Sequence, residues 1–361
     1  MKKKLAIFNP SIEDGGVEKN LFILSNYISE KNFEITLISA DKNKKKKFNK
    51  KINFIYPKNI NFSNSGRYKK YFYCLLLLIK IILFEKNIHV FSFQANIYAI
   101  IVCKIFGIKV VARLNSAPQG WGHNFIKNKI YRFFIKKADG IIVNSKKFQS
   151  EVKKRYGVDS ICIFNPFDFK KIKKMSKKKV SNVFPKKSLK LINIGRITDQ
   201  KNQITILQSI KFLRERKINL CLVIVGKGNL ESNLREYIKQ NNLINNVKLL
   251  GYKKNPFPYL KQSDIFILSS KFEGSPNVLV EAMFFKKKII STDCPTGPRE
   301  ILEGKYGSLF KIGDHKKLSN LILNYKSNVV KISNASKSLK KYDKNLICIK
   351  YLNYLKKILN I

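Results

Sequence analysis

Residues 264–283 read DIFILSSKFEGSPNVLVEAM. The apolar run 265–268 has the length and composition of a buried strand. A short loop follows, carrying Glu273 and Gly274. Ser275 is a residue type that caps helix N-termini, and Pro276 suits a first helical position. Val278, Leu279, Ala282 and Met283 then recur at helical spacing. Strand, loop and helix in this order form half of a βαβ unit, which points to an α/β fold. Glu273 falls on the loop. Glu281 falls on the helix, four residues after Asn277. Amides at a helix N-terminus attract anions. Two carboxylates would repel an anion, but they could grip hydroxyl groups attached to it. A diphosphate that carries both a ribose diol and a sugar meets both conditions.

The same alternation extends along the chain. Strands are predicted at 5–8, 35–38, 90–93, 110–113, 140–143 and 161–164, with helices at 17–29, 71–84, 97–106, 127–137 and 148–156. A second series has strands at 190–194, 220–225, 247–250, 265–268 and 288–291, with helices at 203–211 and 230–240. These describe two open parallel sheets, each covered by helices. The expected organisation is a Rossmann-like domain at 1–168, a Lys-rich linker at 169–188, a second Rossmann-like domain at 189–340 and an amphipathic terminal helix within 341–361. Two such domains joined by a linker leave a cleft between them, where α/β ligands bind.

A chain of 361 residues with 44% hydrophobic content suits two packed cores. The net charge of +49 is extreme, yet only 9 of the 72 basic residues are Arg. Sequence-specific nucleic-acid readers rely on Arg forks, so no nucleic-acid partner is expected. The charge favours an anionic membrane surface or general attraction to phosphates. Cys74, Cys103, Cys162, Cys221, Cys294 and Cys348 form no C-x-x-C pair, and three His do not complete a zinc set. Reduced structural thiols in the cytoplasm are expected. MKKKLAIFN runs straight into a strand, without the pattern of a secretory leader. The run 71–84, YFYCLLLLIKIILF, contains Lys80 and is too short to span a bilayer. It reads either as a buried helix or as a helix with one face at a membrane interface, where Lys69, Lys70, Lys80 and Lys86 would meet anionic headgroups.

Several loops at predicted strand ends carry candidate ligand residues. Gly15-Gly16 lies between the first strand and first helix, where backbone can approach a ligand. Gly195-Arg196 follows a strand and Lys201 precedes a helix; two cations there suit a departing diphosphate. Gly226 and Gly228 follow the next strand, and Tyr252 the one after. There is no D-x-D pair to hold a divalent metal on a diphosphate. No metal and no cofactor are therefore expected, with Arg196, Lys201 and helix dipoles taking that role. The G-x-G-x-x-G, G-x-S-x-G, Walker and H-E-x-x-H patterns are absent, and His89, His123 and His315 lack partners in the sequence.

The ordered set IGRITDQKN (194–202), IVGKGNLESNLRE (224–236), the 264–283 stretch and STDCPTGPREIL (291–302) resembles the family 4 glycosyltransferases, retaining enzymes of GT-B fold. ADGIIVNSKKF (138–148) and NPFD (165–168) resemble the end of that family's first domain. Glu273 and Glu281 stand as its Glu-x7-Glu pair. The resemblance implies that Arg196 and Lys201 hold the donor diphosphate, that Glu281 binds ribose and that Glu273 contacts the transferred sugar. It implies further that Gly274, Ser275, Asn277 and Val278 offer amides to phosphate and sugar oxygens, with Gly195, Gly226, Gly228 and Tyr252 completing the donor site. Gly15 and Gly16 would close on the diphosphate from the first domain, on which the last helix would pack. Many relatives carry a His after the fourth strand; here ARLNSAPQGW places Asn115 or Ser116 there, with Arg113 nearby. These three are candidates for sugar or acceptor contact.

The activity so implied moves a sugar from a nucleotide-diphosphate sugar, expected to be a UDP-sugar, to a glycan or polyprenyl-linked acceptor. Lipopolysaccharide, O-antigen or capsule assembly would suit, with the protein held peripherally on the inner face of the cytoplasmic membrane. Two other readings compete. A basic nucleic-acid binder would explain the charge but not Glu273 and Glu281, which would repel a phosphate backbone. A nucleotide-sugar 2-epimerase of the same fold would need further acids and a base.

Overall fold

The computed structural model describes residues 3–13, 15–58, 60–62, 65–115, 125–325 and 335–360. The chain divides into two units: Met1–Phe167 with Tyr342–Ile361, and Asp168–Lys341.

The first unit runs β1 (Lys3–Phe8), α1 (Gly16–Ser29), β2 (Phe33–Ile38), β3 (Asn53–Ile55), α2 (Arg67–Phe84), β4 (Ile88–Ser92), α3 (Asn96–Ile105), β5 (Val110–Arg113), α4 (Phe125–Ile135), β6 (Gly140–Val143), α5 (Lys146–Tyr156) and β7 (Ile161–Cys162). Its seven strands are all parallel, in the order β3-β2-β1-β4-β5-β6-β7. Both faces of such a sheet are covered, so its strands read as continuous apolar runs. Side chains still alternate between faces. Ala6, Phe8, Val90, Val110, Ala112 and Ile141 join the core under α2, α3 and α5. Leu5, Ile7, Phe91, Val111 and Ile142 join the opposite core, under α1 and the last helix.

The second unit runs α6 (Phe169–Ser176), β8 (Leu189–Ile194), α7 (Gln203–Glu215), β9 (Leu220–Val225), α8 (Glu231–Gln240), β10 (Val247–Leu249), α9 (Phe257–Gln262), β11 (Ile265–Leu268), α10 (Asn277–Phe284), β12 (Lys288–Thr292), α11 (Pro298–Leu302), β13 (Ser308–Phe310), α12 (His315–Leu323) and α13 (Ala335–Leu339). Its six strands are also all parallel, ordered β10-β9-β8-β11-β12-β13.

The chain then returns to the first unit as α14 (Lys344–Leu359). Asp343 caps this helix by accepting from the Asn345 and Leu346 amides. Ile347, Cys348, Tyr351, Leu352, Leu355 and Leu359 form its buried stripe, at the spacing of a core-facing helix. Phe167 N–H donates to Tyr342 O and Lys344 N–H donates to Phe167 O, which fixes where the returning chain joins. Gly140 lies under Tyr354: a Cβ there would sit 2.8 Å from its hydroxyl.

Two expectations are corrected. The Lys-rich 169–188 stretch is not a featureless linker, because its first part is α6. Asp168 accepts from the Lys171 amide, Ile172 is buried and Phe169 stacks on Phe284. A cap and two apolar anchors suffice to wind a segment whose composition suggests coil. The helix after β11 starts one residue later than predicted: Pro276 is the cap, with extended backbone, and Asn277 the first helical residue. Pro276 is held by the opposing Gly297, where a Cβ would meet Pro276 Cδ at 2.6 Å. Tertiary contact therefore overrides the local capping preference of Ser275.

Candidate donor site in the second unit

In a parallel sheet, ligands gather outside the carboxyl ends of strands where the strand order reverses. In the second unit the chain runs outward from β8 to β9 and β10, then returns to place β11 on β8's other side. The reversal thus falls between β8 and β11. The loops leaving these two strands carry Lys201 and Glu273.

The two loops are stitched together by named bonds. Lys201 Nζ donates to Glu273 Oε1 at 2.6 Å, and Ser270 Oγ donates to the same oxygen at 2.6 Å. Ser269 Oγ donates to Lys201 O at 2.7 Å. Gln200 Nε2 donates to Phe272 O, and the Lys271 amide returns a bond to Gln200 O. Beneath them, Asn193 Nδ2 donates to Ile267 O at 2.8 Å, tying the strand ends. Thr296, after β12, donates its hydroxyl to Glu273 O. Glu273 is 7% exposed, so its carboxylate is fixed in position, with a cation beside it.

Asn202 follows Lys201 with left-handed backbone, φ 50°, and caps α7. Asn tolerates that conformation better than most residues. The Lys201 side chain lies against Gly195, where a Cβ would meet its Cδ at 3.8 Å. Gly195 and Arg196 lie on the same loop; Gly195 N–H donates to Val225 O and Arg196 is exposed.

Gly226 and Gly228 earn their place through close packing. A Cβ on Gly226 would stand 1.8 Å from Gly195 O, and one on Gly228 1.9 Å from Ile197 O. The Gly226–Gly228 turn therefore lies directly against the Gly195–Ile197 backbone. Gly226 N–H donates to Gly251 O, extending this layer to the loop of Tyr252, which is exposed.

On α10, Glu281 is 1% exposed. It lies one turn into the helix, among Leu279, Val280, Ala282 and Met283, all buried. Asn277 and Val278 form its first turn and are half-buried, as is Ser275; Gly274 is buried. Cys294 lies close enough to Glu273 to feel its charge; burial first, then that carboxylate, push the thiol up to about 12.

In the first unit the order reverses between β1 and β4. There the loop after β1 is fixed by Ser11 N–H to Gln94 Oε1 at 2.9 Å and Ile12 N–H to Asp41 Oδ2 at 2.7 Å. Gly15 N–H donates to Glu18 Oε2 at 3.1 Å, so a carboxylate already sits at the start of α1. Gly16 is exposed.

Arg113 is not a surface contact residue. It is 1% exposed, and its guanidinium donates to Tyr351 Oη at 2.8 Å, to Asn165 Oδ1 at 2.7 Å and to Asn115 Oδ1. It also lies over the Phe93 ring. Its guanidinium is engaged inside the first unit and orients Asn115, whose Nδ2 donates to Phe93 O. Ser116 lies outside the described residues. Tyr351 of α14 contributes to the enclosure of Arg113 together with Asn165 and Phe93.

Sequence relatives and solved structures agree with the two-unit architecture. The family model described as Glycosyltransferase Family 4 matches residues 14–170, and that described as Glycosyl transferases group 1 matches residues 174–346. An uncharacterized glycosyltransferase, MJ1059 of Methanocaldococcus jannaschii, is 41% identical over 203 residues, half of each chain. The chain thus spans about half the length of this relative. The N-acetylgalactosamine-N,N'-diacetylbacillosaminyl-diphospho-undecaprenol 4-alpha-N-acetylgalactosaminyltransferase of Campylobacter jejuni is 27% identical over 338 residues, 88% of each chain. Among solved structures, Anabaena Alr3699/HepE in complex with UDP-glucose superposes with a TM-score of 0.79 at 16% identity, covering 98% of this chain and 99% of that one. A glycosyltransferase from Rickettsia africae superposes with a TM-score of 0.75 at 18% identity, covering 99% of each.

Two Rossmann-like units with these structural neighbours define the GT-B fold. The chain belongs to the family 4 glycosyltransferases.

Proposed function

We propose that this chain transfers a sugar, with retention, from a UDP-sugar to a polyprenyl-diphosphate-linked glycan during assembly of a cell-surface polysaccharide. The observation that carries the reading is the Lys201–Glu273 pair, fixed at the reversal point of the second sheet. Lys201 and Arg196 neutralise the charge that develops on the departing diphosphate. Such a stabiliser is worth roughly 10²–10³ in turnover. Glu273 holds Lys201 and accepts hydrogen bonds from the transferred sugar. Glu281 accepts from the ribose hydroxyls. Amides of Gly274, Ser275, Asn277 and Val278 meet phosphate and sugar oxygens. The anomeric C–O bond to the β-phosphate breaks and the acceptor oxygen bonds to the same face. The acceptor proton passes to the departing phosphate oxygen, so neither Glu is a general base and no metal is required.

The complex of HepE with UDP-glucose supports a uridine donor. The Campylobacter relative, an N-acetylgalactosaminyltransferase acting on a diphospho-undecaprenol-linked glycan, supports an N-acetylhexosamine and an acceptor on diphospho-undecaprenol. An acceptor of that kind would place the enzyme at the inner face of the cytoplasmic membrane. Among the described residues no helix is long and apolar enough to cross a membrane.

Thermal shift against UDP, GDP and their sugars tests the donor. A larger rise with UDP than GDP is expected; the reverse would replace the nucleotide. Transfer from UDP-N-acetylgalactosamine to a polyprenyl-diphosphate glycan, with and without EDTA, tests the rest. Loss of transfer in EDTA, restored by magnesium, would overturn the metal-free mechanism.

A further inference from the structure

An amphipathic helix on a sheet normally turns its polar face to water. α2 does not. It buries Cys74, Leu78, Ile81 and Ile82 against the sheet. On the opposite side, Phe72, Leu76 and Leu83 follow one another at steps of four and seven residues and are 59%, 49% and 63% exposed. Lys69 and Lys80 stand in the same stripe. The apolar surface continues onto α3, where Ile105 is 72% exposed, and onto α4, where Phe133 is 59% exposed. α3 packs against both α2 and α4, and the Tyr71 and Tyr98 rings meet at 6.2 Å, so the three helices form one face. Of the sixteen large apolar side chains exposed among the described residues, nine belong to these helices and a tenth, Phe106, directly follows α3. That concentration separates a patch from the scattered apolar residues any surface carries.

The charge on this face is equally one-sided. α2, α3 and α4 contain eight Lys or Arg and no Asp or Glu. The carboxylates that do reach them come from loops: Asp41 pairs with Lys70, Asp139 with Lys104 and Glu13 with Arg67. Lys69, Lys80, Lys129 and Arg132 remain exposed beside the apolar side chains. A protein partner or a second copy of the chain would need its own acidic counter-surface, and a second copy would bring eight more cations to these helices. An anionic bilayer supplies both an apolar layer and a dense negative boundary, which is what exposed Phe and Leu ringed by Lys require.

We propose that the α2–α3–α4 face of the first unit docks on anionic lipid, with Phe72, Leu76 and Leu83 entering the headgroup boundary and Lys69 and Lys80 meeting phosphates. This deepens the reading of a lipid-linked acceptor, and rests on it only for the purpose that docking would serve. The test is co-sedimentation of the full chain with phosphatidylcholine vesicles, with and without phosphatidylglycerol, in the absence of donor and acceptor. Binding is expected only with phosphatidylglycerol and should weaken in high salt. Phe72→Ser/Leu76→Ser/Leu83→Ser and, separately, Lys69→Glu/Lys80→Glu should each weaken it by about tenfold or more. All five side chains are outward-facing, so an unchanged melting temperature and an unchanged shift with UDP are expected in both variants. Equal binding to neutral vesicles, or unaltered binding by either variant, would overturn the proposal. So would a wild-type dimer that the serine variant converts to monomer, since the face would then be a protein interface. A failed transfer assay alongside intact vesicle binding would count against the lipid-linked acceptor alone.

Discussion

Lys201 and Glu273, seventy-two positions apart in sequence, share a 2.6 Å hydrogen bond at the point where the second sheet reverses its strand order. The pair does two jobs. It locks the loops after β8 and β11 together, and it presents a cation whose direction is set by a buried carboxylate. Lys201→Met should lower turnover by roughly 10²–10³. Glu273→Gln should be milder for stability, because an amide oxygen still accepts from Lys201 and Ser270. Steady-state kinetics at saturating donor and thermal melts separate the two effects. Wild-type turnover in Lys201→Met would remove Lys201 from the reaction.

The glycine layer makes a prediction about folding rather than chemistry. Gly226→Ala and Gly228→Ala place a methyl inside the backbone of a neighbouring loop, at 1.8 and 1.9 Å. Each should cost on the order of 3 kcal/mol or more, or abolish folded yield. Gly66→Ala meets nothing within 4 Å and should change stability by less than about 1 kcal/mol. Urea unfolding of the three variants checks this contrast.

Tyr351→Phe leaves the buried Arg113 Nε without its hydroxyl acceptor, a loss of about 1–3 kcal/mol. Arg113→Met should also destabilise, through lost bonds to Asn165 and Asn115. Because the residues share one network, the double variant should lose less than the sum of the singles. Additive losses, measured as denaturation midpoints, would deny the coupling.

Alkaline pH should weaken the fold. Burial pushes the Cys74, Cys103, Cys294 and Cys348 thiols up from 9.0 to about 12. Tyr71 and Tyr156 rise from 10.0 to about 12, also through burial. Each group stays protonated in the folded chain while its unfolded counterpart ionises. Stability is therefore fully present below pH 9 and drains as pH climbs toward 12. Each ionising group adds a slope of up to about 1.4 kcal/mol per pH unit. Unfolding midpoints measured from neutral pH upward should be flat and then fall. The four thiols should resist a disulfide reagent at pH 8 until the chain unfolds.

Much of this architecture could be read from sequence, because strands buried on both faces announce themselves as apolar runs such as 220–225. β3 and β13 were not read from the sequence; each is three residues long and opens on a polar residue, Asn53 or Ser308, so neither forms a continuous apolar run. α6 was hidden by its lysines, since its anchors are a cap on Asp168 and a ring partner more than a hundred residues away. At the site, residue types and spacing singled out Lys201 and Glu273 separately. Their bond depends on the adjacency of β8 and β11, which no local pattern encodes. The burial of Arg113 was illegible for the same reason: part of its surroundings, Tyr351 of α14, lies 238 positions away.

That helix also sets an order of events during synthesis. The second unit is one continuous segment, 168–341, and is complete before α14 leaves the ribosome. Until then Phe91, Val111 and Ile142, which share a core with α14, lack its cover. The nascent first unit must therefore wait, partly open, while the second folds, and α14 closes it last. A chain cut short before α14 (Lys344–Leu359) would carry a finished second unit and an unfinished first one, a natural substrate for chaperones and proteases.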